Sequence, residues 1–218
     1  MAGVIDTLTN AGPRSGTEGG IFGVAVAQVI DNIDSLSLGR VQLSLPWLPD
    51  FEPWARVAVL SAGSGRGTWF IPQVGDEVLV AFEHGDVRQP YVIGSLWNGT
   101  DSPPADSPTD SVARRIIKTP AGHEIELDDV EQSITITSSS EQTVTITPDK
   151  IELSAGSGAA VVTLETAGTI TLKAAVKIEL QAPDVTISGT NLELSGDATA
   201  TLKGGASCTI QGALVRIN

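Results

Sequence analysis

Apolar and polar positions alternate along most of this chain, and the alternation changes character near residue 100. Before that point the runs are separate and unevenly spaced. Ile21 to Val29 alternates loosely. Arg40 to Leu45 sets Val41, Leu43 and Leu45 against Arg40, Gln42 and Ser44. Trp54 to Leu60 sets Ala55, Val57 and Val59 opposite Arg56 and Ala58. Glu77 to Phe82 and Pro90 to Leu96 read as buried strands. Turn residues part them at Pro46, Pro49-Asp50, Gly63 to Gly67, Gly75-Asp76 and Gly85-Asp86. No segment of useful length keeps a helical period. About five short strands in about 75 residues predict a small β-barrel.

Beyond residue 130 the pattern becomes a repeat. Apolar or small residues recur as i, i+2 pairs at Ile134/Ile136, Val144/Ile146, Ile151/Leu153, Val162/Leu164, Ile170/Leu172 and Val176/Ile178. They continue at Val185/Ile187, Leu192/Leu194, Ala200/Leu202, Cys208/Ile210 and Val215/Ile217. The step averages about eight residues, one short strand and one tight turn, which marks a solenoid. A single-chain hexapeptide helix needs a six-residue period, and these pairs do not keep it. Eight residues per step fit three chains wound about one axis, each giving one strand to each face in turn. The pairs are too sparse and narrow to fill a monomer. The predicted trimer core therefore includes Ile170, Leu172, Val176, Ile178, Val185, Ile187, Leu192, Leu194, Leu202, Cys208 and Ile210.

Composition sharpens the division. All nine aromatic residues lie between Phe22 and Trp97. They are expected to serve as barrel core and packing anchors. Residues 98–111 combine a turn signal with three prolines and mark a linker between a domain at 21–97 and a neck plus β-helix at 112–218. Residues 1–20 read as a flexible lead-in. The net charge is −13 and Lys is absent before Lys118. Such a surface disfavours nucleic acid and anionic membrane. One cysteine excludes a disulfide framework within the chain. The N-terminus lacks a signal-peptide pattern, so synthesis in the cytoplasm is expected.

The segment LGRVQLSLPWLPD (38–50) resembles the OB-fold of contractile-injection spike proteins. So do Trp54-Ala55-Arg56-Val57, the Gly-rich turn before Trp69, FIPQVGDEVLVAFEHGD (70–86), Pro90 to Gly94 and Trp97-Asn98-Gly99. This family includes VgrG of type VI secretion and the phage baseplate assembly protein V. RRIIKTPAGHEIELDD (114–129) is similar to the family's neck, and IQGALVRIN (210–218) to its usual ending. The resemblance covers roughly 20–218. It implies an all-β homotrimer: an N-terminal OB-fold β-barrel, then an intertwined triple-stranded β-helix. It also implies a separate hub or baseplate protein at the OB-fold end, since only about 20 residues precede the barrel where VgrG proteins carry a hub domain. A PAAR-like tip protein would sit on the C-terminal end, with effector cargo attached there. The target membrane is met only during injection, and the chain is a component of an assembled particle.

No catalytic constellation is visible, and no cofactor is expected. There is no Gly-x-Ser-x-Gly elbow and no phosphate loop; SAGSGRGT (61–68) reads as a hairpin loop. His84 and His123 are the only histidines, each without a second nearby, and read as a turn residue and a neck contact rather than metal ligands. Glu124, Glu126, Asp128 and Asp129 lack calcium-loop spacing and read as a solvated acidic collar. Leu214, Val215, Arg216, Ile217 and Asn218 carry the alternation to the last residue and are expected to form the tip platform. Two other readings remain open, a β-helical tail adhesin or polysaccharide-acting spike, and a bactofilin-like polymer. The aromatic-free rod disfavours the first and the barrel the second.

Overall fold

The computed structural model describes residues 20–105 and 112–216. The chain divides into two compact units near Lys118.

The first unit is built on a closed five-stranded barrel. Its strands are β1 (Ala25–Asp31), β2 (Val41–Ser44), β3 (Trp54–Val57), β6 (Glu77–Phe82) and β7 (Pro90–Leu96), in the order β1-β2-β3-β7-β6. All neighbours are antiparallel except β3 and β7, which pair in parallel through Arg56 with Tyr91 and Val57 with Val92. Between β3 and β6 the chain makes a separate hairpin, β4 (Ala62–Gly63) and β5 (Arg66–Gly67). Gly67 sits at φ +145°, and a side chain there would run into the Ser61 carbonyl.

Period-two alternation drives this core. Val41, Leu43 and Leu45 point inward with Val29, Val78, Val80 and Val92, each at most 1% exposed. The aromatic expectation needs correction. Phe82 alone of the nine enters the buried core; Trp47 meets its ring edge-on at 6.1 Å, and Phe22, Trp69, Phe70 and Trp97 are exposed. A closed five-stranded barrel has a narrow interior, which β-branched and Leu side chains fill without wider rings.

Beyond the barrel the chain forms an antiparallel meander. Strands β8 (Arg114–Lys118), β9 (Glu124–Asp128), β10 (Ser133–Thr137), β11 (Thr143–Ile146), β12 (Lys150–Ala155), β13 (Ala160–Glu165) and β14 (Ile170–Ala174) form one seven-stranded sheet in sequence order. The eight-residue step predicts that each successive strand passes to a new face. Up to Ala174 the strands instead turn back and pair within the chain. The reversals use left-handed residues that are not all glycine: Gln132 at φ 51°, Glu141 at 64° and Ser157 at 51°. Asp128 supports one of them by accepting the amides of Val130 and Glu131 at 2.8 and 2.9 Å. No described residue after Ala174 belongs to a strand of this chain.

Candidate assembly surface

The registers of β9 to β14 place the apolar pairs in two unbroken columns on one face of the sheet. Ile125, Ile136, Val144, Leu153, Val162 and Leu172 are successive cross-strand partners. So are Leu127, Ile134, Ile146, Ile151, Leu164 and Ile170. The intervening positions form a polar column on the other face: Glu126, Thr135, Thr145, Glu152, Thr163 and Thr171. Cross-strand apolar pairs stabilise a sheet, but covering their outer surface needs a second layer. Among the described residues no second layer covers this face. Val144 and Val162 are half-buried and the other ten column residues are exposed. An exposed apolar face of this length is the kind of surface that marks a protein–protein contact.

Ile170 and Leu172 of the expected trimer core close the two columns on β14. The other expected residues, Val176, Ile178, Val185, Ile187, Leu192, Leu194, Leu202, Cys208 and Ile210, lie beyond the last strand and are all exposed, with Val176 at 97%. Leu180 shares this exposure. The structure brings this set together only at Ile170 and Leu172. Ile125 and Leu127, which precede the repeat of pairs that starts at Ile134, join the same columns, and their i, i+2 spacing inside HEIELD is the available signal. Of the expected tip residues, Leu214, Val215 and Arg216 are exposed; Ile217 and Asn218 lie outside the described residues.

The remaining candidates have local roles. His84 occupies a left-handed position (φ 50°) in the short turn after β6. His123 accepts the Ser139 amide on Nδ1 at 3.2 Å, tying the β8–β9 turn to the β10–β11 turn. Among the described residues no three metal-type side chains converge.

In the barrel, Asp34 organises the loop into β2. It accepts the Leu36 and Leu38 amides, each at 3.0 Å, and a two-pronged contact from Arg40 whose shorter arm is 2.7 Å. The Arg40 guanidinium, opposed by burial and helped by those amides, holds the Asp34 carboxyl far below its usual range. Arg88 likewise lowers Asp86 to about 2. The Tyr91 hydroxyl donates to Glu83 at 2.7 Å, which raises its pKa.

Comparison with known families matches both units. Residues 25–97 match the type VI secretion system/phage-baseplate injector OB domain, which spans all five barrel strands. Residues 115–193 match the phage baseplate V C-terminal trimerisation domain, which takes in the meander and the first part of the stretch that follows. Among similar proteins is the type VI secretion system spike protein VgrG2a of Pseudomonas aeruginosa, 30% identical over 132 residues, or 56% of this chain and 16% of that protein. The spike protein VgrG3 of Vibrio cholerae is 35% identical over 89 residues, 38% of this chain and 9% of its own. The actin cross-linking toxin VgrG1 of the same species is 31% identical over 102 residues, 44% of this chain and 9% of its own. The chain thus spans less than a fifth of each of these relatives. With a closed barrel matching the injector OB domain and an exposed apolar sheet matching the trimerisation domain, this chain belongs to the spike family of contractile injection systems, the VgrG and baseplate-assembly-protein-V group.

Proposed function

We propose that three copies of this chain form a structural spike of a contractile injection particle, which acts mechanically and pierces the target membrane. The two exposed apolar columns of the meander carry this reading. Three such faces turned toward one axis remove from water the surface that a single chain leaves bare. The stretch 175–216 supports it from another side. Its alternation continues, yet none of its described residues belongs to a strand of its own chain. In a trimer its backbone groups find partners on the other two chains, giving a rod with few free edges.

In this reading a separate hub binds the barrel end. Leu214 to Asn218 dock a PAAR-like tip protein that carries cargo, with Leu214 and Val215 offering exposed apolar contacts. No described helix is long and apolar enough to cross a membrane. Light scattering on the purified chain tests the assembly: a closed particle of three times 22.5 kDa is expected. A monomer contradicts it, and an open, concentration-dependent series favours the filament reading. Deleting 214–218 should abolish capture of a PAAR-like protein and leave the trimer intact; unchanged capture removes the tip assignment.

A further inference from the structure

A cleft of about 970 Å³ lies between the barrel and the β4–β5 hairpin, inside the first unit. Its floor carries Trp54 and Tyr91 from β3 and β7, and its outer wall is the hairpin with Trp69 at the base. In a chain of net charge −13 no carboxylate lines it. Of the four arginines between residues 20 and 105, three line it: Arg40, Arg56 and Arg66. Arg40 is held by Asp34 and stacks over the Trp54 ring at 5.7 Å. Arg56 stacks over the Tyr91 ring at 5.4 Å. Neither Arg56 nor Arg66 has an ion pair among the described residues, and both are exposed. The Thr68 hydroxyl, also in the wall, is buried without a hydrogen-bond partner. A buried hydroxyl left unpaired costs stability unless a ligand reaches it.

Two features choose among anionic ligands. The hairpin is an isolated two-stranded sheet, so its outer edges offer main-chain groups to an incoming strand. The overall negative charge repels a phosphate backbone at long range, while a short acidic segment meets mainly the local positive field. We propose that this cleft binds an extended acidic peptide segment of a partner protein. Its backbone lies along the hairpin edge, its carboxylates meet Arg56 and Arg66, and an apolar side chain sits against Trp54 and Trp69. This site does not depend on the trimeric spike assignment.

The test uses the full-length protein and a blocked, fluorescein-labelled decapeptide alternating glutamate with valine. Fluorescence anisotropy should show saturable binding that weakens with added salt. Arg66→Ala and Arg56→Ala should each weaken it about tenfold, the loss of one charge-assisted contact. Hydrogen exchange should report new protection at residues 62–67 when the peptide binds. Equal binding of the lysine-for-glutamate peptide overturns the proposal, as does binding unaffected by both substitutions. Preference for a decathymidylate single strand overturns it in favour of nucleic acid. Hairpin amides already protected in the free protein overturn it in favour of a second copy of this chain.

Discussion

The Trp69 ring lies directly over Gly39. Its Cη2 and Cζ3 atoms are 2.9 Å from where a Cβ on residue 39 would stand, and Gly39 has φ +71°. The loop before β2 and the base of the hairpin are therefore locked by one ring on one bare backbone. Gly39→Ala should cost about 1–3 kcal/mol through left-handed strain and displacement of the indole. Urea unfolding followed by tryptophan emission checks this. An unchanged midpoint would mean that the ring is free to move aside.

Reversing the character of one column position should dissociate the assembly. Leu153→Asp places three carboxylates on the surface that must close, at a cost of at least about 3 kcal/mol. Thr145→Lys on the opposite face, in the polar column beside Glu152, should stay within about 0.5 kcal/mol. Light scattering on both variants separates the faces. Loss of the trimer by the lysine variant alone would invert the assignment.

Ile187→Asp extends the same test past the last in-chain strand. Stretch 175–216 pairs only with other chains in the proposed spike, so a charge there should loosen the distal rod and leave the meander's sheet. Limited proteolysis of the variant should cut near residue 187 while 119–174 survives. A variant as resistant as the parent would place Ile187 on the outside.

Cys208 offers a reading without mutation. It is exposed in the single chain, and the repeat predicts an inward position for it beside Ile210. In the assembled spike its thiol should resist a maleimide reagent and react only after denaturation. Rapid labelling of the native particle would turn that strand over.

Acid should loosen the barrel through Asp34. Its carboxyl titrates at 3.8 when unfolded and well below that when Arg40 holds it. The contribution is therefore complete above about pH 5 and is lost as the pH falls below 3.8 toward the folded value. Asp34→Asn should be less stable than the parent at neutral pH, with a flatter stability profile between pH 5 and 2. Equal slopes for both proteins would assign acid sensitivity to other carboxylates.

Much of this was legible from alternation alone. β6 and β7 begin and end where the apolar runs do, because both are bounded by turn residues and buried on one face. The i, i+2 pairs named the residues of both columns from Ile134 onward, since a period of two fixes which face a side chain takes. It does not fix which chain supplies the neighbouring strand. That choice rests on turns such as Glu141 and Gln132, whose left-handed backbone is rarely signalled by those residue types. The cleft was hidden for a related reason. Arg40, Arg56 and Arg66 are far apart in sequence, and the parallel β3–β7 pairing that carries Arg56 to Tyr91 leaves no mark in local composition.

The self-pairing of the meander bears on how three chains find a common alignment. An eight-residue repeat is nearly degenerate: sliding one chain by a step still meets apolar with apolar. Strands β9 to β14 pair only with sequence neighbours, so each chain can form them quickly by itself. A folded sheet has a defined first and last strand, which a bare repeat lacks. Three preformed sheets can then set the alignment before the distal segments wind, as the slider of a zipper sets its teeth. Refolding should accordingly show a concentration-independent rise in β-sheet signal before the concentration-dependent step; a single concentration-dependent phase would mean that alignment and folding occur together.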